Sequence, residues 1–132
     1  MIDDFWGSAE WANFERQIGR VLPNRPIDDI PRDHLLYRAY YTIEGDILQV
    51  PNVGNGRDVG MGIPGAGTWE RDGRVPHLRG IFDDQGRVMV AINWNTDLGD
   101  ALEWAEDSRY PLDYSSFASR LFLNHIIYAL TH

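Results

Sequence analysis

The strongest structural signal in the chain reads Leu78-Arg79-Gly80-Ile81-Phe82-Asp83-Asp84-Gln85-Gly86-Arg87-Val88-Met89-Val90-Ala91-Ile92-Asn93. Two apolar, strand-like runs, 78–82 and 87–93, flank the four residues Asp-Asp-Gln-Gly at 83–86. Because aspartate and glycine favour tight turns, this pattern predicts a β-hairpin. The nearly continuous apolar run 88–92 also predicts a strand that is covered on both faces.

Helical and strand patterns extend from this hairpin in both directions. Met1–Trp6 reads as a strand end, and the following helix is predicted to begin at Gly7-Ser8 and to stop at Pro23. A second helix is predicted from Ser115 or Ser116 to about Leu130, and it is apolar around most of its circumference. Residues 46–50 predict a further strand. Strands mixed with helices indicate an α/β fold.

The segment from Val53 to Pro76 has no apolar period and is rich in glycine. A long run without pattern inside a compact domain is typical of a lid, a binding loop or a mobile segment. The segment lacks the Gly-x-Gly-x-x-Gly pattern and contains no lysine, so it gives little support for a nucleotide site.

Composition limits the function classes. The 132 residues suit one domain, residues 1–132, and the net charge of −8 argues against a protein that binds nucleic-acid phosphates. All twelve basic residues are arginine, which excludes lysine Schiff-base chemistry. There is no cysteine, so a thiol nucleophile, a disulfide and a thiolate metal site are also excluded. No apolar stretch is long enough to span a membrane.

Two polar segments follow predicted strands, where open α/β sheets place their ligands. Asp3 and Asp4 could hold a metal, act as acid and base, or cap the next helix. The segment from Asn93 to Asp100 could contribute oxygen ligands or form a hydrogen-bonded loop that shapes a cleft. It is not an EF-hand, because the sixth and twelfth positions are leucine and tryptophan.

The four histidines do not form a short metal-binding pair. His34 is expected to serve its local turn and His125 to lie in the core, which leaves His77 as the histidine with a candidate functional role. Tryptophans in predicted loops could stack on sugars, or they could close the core. These are Trp6, Trp69, Trp94 and Trp104.

Several stretches together resemble a bacterial family that is catalogued as a domain of unknown function. That family is distantly similar to trehalose-utilisation-type and class I glutamine-amidotransferase-like proteins. The resemblance covers nearly the whole chain, and its most specific pieces are Asp97-Leu98-Gly99-Asp100 and Tyr128-Ala129-Leu130-Thr131-His132. The other pieces are 2–7, 21–26, 33–37, 80–82 and 95–96.

The resemblance implies a flavodoxin-like, mostly parallel sheet with helices on both faces. It implies that this chain is an incomplete version, the C-terminal part of an amidotransferase-like domain. Many relatives are exported or membrane-associated, so the resemblance leaves the compartment open. Amidotransferase relatives use a cysteine nucleophile. This chain has no cysteine, which argues strongly against glutaminase activity.

The leading functional hypothesis is a non-catalytic module that binds a small polar ligand or a protein partner at the strand ends. Its candidate residues are Asp3, Asp4, Trp6, His77, Asn93, Asn95, Asp97 and Asp100. The alternative is a metal-assisted hydrolase in which Asp97 and Asp100 hold a divalent cation and His77 moves a proton. A purely structural interaction domain is the third hypothesis, and no cofactor is predicted for the first or the third.

The resemblance also leads to an expectation about assembly. Loss of the strands that normally flank Met1–Phe5 would leave a bare sheet edge, and such edges pair with other chains. A homodimer would cover that edge, as would an upstream segment of a longer chain. Folding of the 53–76 segment over the edge would instead keep the chain monomeric.

Overall fold

The predicted hairpin forms the centre of the sheet in the computed structural model, which describes residues 1–132. Its strands are β2, His77–Phe82, and β3, Val88–Trp94. They pair antiparallel, with His77 opposite Trp94 and a bulge between Ile81 and Phe82. The Asp83 carboxylate stabilises the turn, because its Oδ1 accepts hydrogen bonds from the backbone N–H groups of residues 85 and 87.

The predicted fold class is wrong in its topology. The sheet has three strands in the order β1-β2-β3, where β1 is Asp28–Asp29, and both pairings are antiparallel. An isolated parallel bridge joins Ile2 to Ile92 on the other edge of β3. The sheet is therefore neither mostly parallel nor flavodoxin-like.

The hairpin itself explains this difference. Parallel neighbours need a crossover of a dozen or more residues, whereas the four residues 83–86 can join only antiparallel strands. The description of the chain as an incomplete, C-terminal part of an amidotransferase-like domain depended on a parallel sheet, so the structure removes its basis. The dimer argument loses its basis as well, because it assumed an internal strand of a parallel sheet.

Both long helices are confirmed. Helix α1 spans Gly7–Val21 and ends just before Pro23, and helix α4 spans Leu112–Thr131, beginning a few residues earlier than predicted. A short 3-10 turn, Leu35–Tyr37, begins after His34, whose Nδ1 accepts the N–H of Leu36 at 3.2 Å. No helix in the structure is both long enough and apolar enough to cross a membrane.

Two local predictions are wrong. Residues 46–50 are not a strand, because the N–H of Val50 bonds to the Thr96 hydroxyl at 3.0 Å instead of joining a ladder. The glycine-rich segment contains helix α2, Val53–Gly60, which the Asn52 side chain caps. Gly56 lies against the Tyr110 ring, and a β-carbon there would overlap it, so the glycine permits the close approach.

The core lies between one face of the sheet and the helices α3, Leu98–Glu103, and α4. Leu78 and Ala91 contribute from the sheet, Leu98 from α3 and Leu121 from α4. Helix α1, by contrast, buries only Gly7. One end of β3 therefore lies beside the start of α3, while α1 is held mainly at its own N-terminal end.

Candidate functional site

The end of β3 and the loop that follows it are polar and yet buried. Asn93, Asn95, Thr96 and Asp97 are each at most 3% exposed. Most of this loop makes hydrogen bonds to distant parts of the chain. Burying so many polar groups is costly unless each group has a partner, so the hydrogen bonds of each residue indicate its role.

Asn95 and Thr96 have structural partners. Asn95 has a positive φ of 60°, which asparagine tolerates better than most residues. Its Oδ1 accepts the N–H of Gly7 at 2.8 Å, and its Nδ2 donates to the carbonyl of Val75 at 2.7 Å. These bonds hold the start of α1 against the loop, and the Thr96–Val50 bond fixes the connector before α2.

Asp97 and Asp100 are both occupied at helix starts. The Asp97 Oδ1 accepts the N–H of Asp100 at 2.8 Å and so caps α3. The Asp100 Oδ2 accepts the N–H of Val53 at 2.7 Å, where α2 begins. The two carboxylates thus anchor two neighbouring helices. Residues that the sequence analysis named as candidate ligand-binding residues therefore have a structural role.

Asp3 reaches the same place from the N-terminal segment. Its Oδ2 accepts the N–H of Gly99 at 3.0 Å. A β-carbon placed on Gly99 would lie 3.5 Å from Asp97 Oδ1 and 3.8 Å from Asp3 Oδ2, so both carboxylates flank this glycine. The Asp3 Oδ1, in contrast, is buried without a hydrogen-bond partner.

Burial raises the pKa of both carboxyl groups. The pKa of Asp3 rises to about 6, and that of Asp97 rises to about 7. Desolvation is the main cause for each, and the neighbouring acids add to it: Asp4 for Asp3, and Asp4, Asp100 and Asp3 for Asp97. Neither group forms an ion pair with an arginine. Both therefore change charge near neutral pH.

Asn93 is buried, but its side chain makes no hydrogen bond that would offset the cost of burial. It is 1% exposed, and neither Oδ1 nor Nδ2 has a hydrogen-bond partner. Ile2 bridges Ile92 in parallel register, so Asp3 and Asn93 occupy the next position of the pair. The backbone N–H of Asn93 donates to the carbonyl oxygen of Ile2 at 2.8 Å, so Asn93 and Asp3 belong to adjacent chain segments, although no hydrogen bond joins their side chains.

We call Asp3, Asn93 and Asp97 the junction site, since the N-terminal segment, β3 and α3 meet there. Asp3 also lines a cleft of about 460 Å³ between the N-terminal segment and α1. Phe5, Phe14 and Glu10 form part of its wall. Asp3 is the junction-site residue that lines the cleft, and it therefore connects the site to solvent.

The other predicted residues lie outside this group. Asp4 is exposed, with a positive φ of 58°. Trp6 is 2% exposed and has a buried Nε1 without a partner, although the Trp6 backbone N–H bonds to Glu10. His77 stacks on Trp94 with ring centroids 4.9 Å apart, and its Nδ1 lies 3.7 Å from Asp29.

Strand alternation keeps His77 away from Asn93. His77 pairs with Trp94 and Leu78 pairs with Asn93, so His77 lies on the opposite face of the sheet. Partial burial, with help from the nearby Arg79 charge, lowers the pKa of His77. No group of three histidine or acidic side chains is arranged to hold a metal ion.

Three of the four singled-out tryptophans stack with arginine, a pairing that sequence reasoning missed. Arg74 lies over Trp69, Arg57 over Trp104 and Arg79 over Trp94, at 4.2, 4.7 and 4.9 Å from ring centroid to guanidinium carbon. Each pair is a cation–π contact. Each of the three rings lies beside its own arginine, and the rings do not form one sugar-binding platform.

The fold and the junction site define a small α/β domain with an antiparallel sheet and a buried acidic cluster at one strand end. The chain belongs to the DUF4159 family, described as a domain of unknown function, whose model matches residues 1–130. This confirms the predicted membership of an unknown-function family. Nothing in the comparison links the chain to the glutamine-amidotransferase-like superfamily. No curated protein and no solved structure matches the chain.

Proposed function

We propose that the domain is a non-catalytic module that binds a small polar ligand at the junction site. The observation that carries this proposal is a pair of buried, unpartnered groups on adjacent chain segments, the Asn93 amide and the Asp3 Oδ1. A buried polar group left unpaired costs about 1–3 kcal/mol. A ligand that supplied the missing hydrogen bonds would recover that energy.

The chemistry of the site favours a ligand that donates hydrogen bonds. Asp3 Oδ1 can only accept when it is ionised, and no arginine is paired with Asp3 or Asp97. Hydroxyl, amide or ammonium groups meet this need. A positively charged donor has the further advantage of favouring the ionised form of both carboxyl groups.

A thermal-shift screen of alkylamines, amino sugars and polyols tests the proposal. We expect at least one compound to raise the melting temperature of the native chain, because a ligand that binds only the folded state stabilises it. Asp3→Asn and Asn93→Leu should each abolish that shift. Asp46→Asn changes an exposed acid elsewhere and serves as the control. A response that survives both site variants, or a panel without any response, contradicts the proposal.

The metal-assisted hydrolase is the second proposal, and it has less support. Asp97 and Asp100 would have to hold the cation, yet each already accepts a backbone N–H at a helix start. His77 would have to move a proton from the opposite face of the sheet. Titration with magnesium, calcium or manganese distinguishes the two proposals, since only the hydrolase predicts a metal-dependent rise in melting temperature.

A protein partner and a purely structural role remain further readings of the same module. A partner at the junction site would have to reach Asp3 through the cleft against α1, which suits a side chain better than a flat surface. In the structural reading, Asn93→Leu would be stabilising and no compound would bind. The same thermal-shift experiment therefore separates this reading from ligand binding.

A further inference from the structure

A second, apolar cavity lies between α4 and the end of the sheet where β3 begins. Its volume is about 260 Å³, and it is lined by apolar side chains that include Leu36, Val88, Phe122 and Ile126, with one imidazole, that of His125. Ile126 is 40% exposed, so the cavity is open to the surface at this wall. Cavities with apolar walls and a few polar groups are the usual form of small-molecule sites.

The lining carries two polar side-chain groups, the Tyr128 hydroxyl and the His125 imidazole. The hydroxyl accepts the N–H of Val88 at 3.1 Å, whereas the hydrogen bonding of His125 is incomplete. His125 is 8% exposed, and its Nδ1 lies 2.7 Å from the carbonyl oxygen of Leu121, one turn earlier in α4. A carbonyl can only accept, so Nδ1 carries the proton. The Nε2 atom is then an acceptor, and it is buried without a partner.

The charge state of the ring supports the same reading. Burial, with a smaller contribution from the terminal ammonium of Met1, lowers the pKa of His125 to about 4, so the ring is neutral at pH 7. A neutral imidazole in an apolar wall does not attract an anion. It provides one acceptor for one donor.

We propose that this cavity binds a small, neutral, largely apolar molecule that carries a single hydrogen-bond donor, which it directs to His125 Nε2. The apolar walls supply most of the affinity, because the ligand leaves water. The acceptor supplies selectivity, since a molecule without a donor leaves Nε2 unpaired. Water does not reach Nε2 in this conformation, so the proposal requires part of the wall to move when the ligand binds. Met1 borders the cavity and is 50% exposed.

Indole and indene test the proposal, because the two rings have nearly the same shape and only indole has an N–H donor. We expect both to bind the native chain, with indole tighter by about fivefold, the value of one net hydrogen bond. Affinity is measured by nuclear magnetic resonance titration. With ¹⁵N-labelled histidine, the Nε2 resonance of His125 should shift with indole and not with indene.

Two variants keep the proposal falsifiable. His125→Phe retains a ring but removes the acceptor, so the preference for indole should disappear while indene still binds. Ile126→Trp fills the cavity and should remove binding of both molecules. Far-UV circular dichroism checks that each variant is folded, and Ile126→Trp alone decides the location if His125→Phe is unfolded. Equal affinities in the native chain, absence of binding, or an indole preference that survives His125→Phe overturns the proposal.

Discussion

Asn93 and Asn124 are both buried asparagines, but one lies at the junction site and the other at the clasp between α4 and residues 40–41. The Asn124 Oδ1 accepts the N–H groups of Tyr40 and Tyr41 at 3.0 and 2.8 Å, and its Nδ2 donates to the carbonyl of Tyr41 at 2.7 Å. Asn93 makes none of the equivalent bonds. A fully paired buried amide stabilises the fold, whereas an unpaired one lowers stability and leaves bonding capacity for another molecule.

Replacing Asn124 should have the largest effect on stability. Asn124→Leu leaves two N–H groups and one carbonyl without their partner, and each unpaired buried group costs about 1–3 kcal/mol. We therefore expect a loss of about 3 kcal/mol or more in the free energy of unfolding. Urea denaturation measures it. A loss below about 1 kcal/mol would mean that water replaces the amide and that the clasp is not structural.

Asn95 provides a comparison inside the junction region itself. Asn95→Ala removes the bonds to Gly7 and Val75 and places alanine at a positive φ. We expect a loss of about 2 kcal/mol, which lies between the costs for the other two asparagines. Asn95→Gly relieves the backbone strain but not the lost bonds, so it should recover only part of the stability. Full recovery with glycine would show that the side-chain bonds contribute little.

The acid cluster should make stability depend on pH in a specific direction. The pKa of Asp97 rises from 3.8 to about 7 on folding, so the folded state holds a proton that the unfolded state has released. Stability from this group is present below about pH 4 and is lost as pH rises towards 7. Lowered pKa values of His34, His77 and His125 act oppositely, because those rings are charged more readily when unfolded.

Asp97→Asn isolates the carboxyl contribution, since asparagine also caps helices well. We expect the variant to be more stable than the native chain by about 1–2 kcal/mol at pH 8, less than the full pKa shift implies because nearby solvent screens the charge. Near pH 4 the two chains should agree closely. Thermal denaturation at both pH values measures the difference, and an equal gain at pH 4 would point to packing as the cause.

Asn93 should show the smallest effect on stability. Asn93→Leu removes two unpaired polar atoms and keeps a similar volume, so the free energy of unfolding should change by less than about 1 kcal/mol, or increase. Asn124→Leu is the same substitution at an equally buried site, and we expect the large loss of stability only there. A large loss of stability would show that Asn93 has partners in solution, and it would remove the main support for the junction site.

Local sequence patterns predicted the elements that depend on neighbouring residues. The turn at 83–86, the end of α1 before Pro23 and the long apolar α4 all follow from residues close together in the chain. The fold class that the whole-chain resemblance implies is wrong, because the hairpin by itself requires an antiparallel pair. Helix α2 was missed because its glycines weaken the helical pattern.

The candidate site was predicted in part. The sequence marked Asp3, Asn93 and Asp97 as polar residues near strand ends, and in the structure Asp3 and Asp97 flank Gly99 while Asn93 lies on the adjacent strand. It also marked His77, which lies on the other face of the sheet because of one step in register. It gave no sign that His125 would border a cavity, because a histidine on an apolar helix has the same pattern whether or not both nitrogens are paired.

By itself, the sequence determined the hairpin, the two long helices and the chemistry that is absent, because turn residues, helical spacing and missing residue types act locally or by composition. The tertiary structure alone decided which buried polar atoms have partners. The N-terminal segment meets β3 through the bridge between Ile2 and Ile92, and Asn124 meets Tyr41 through packing of α4. Hydrogen bonds depend on distances of a few tenths of an ångström, and only the folded chain fixes those distances.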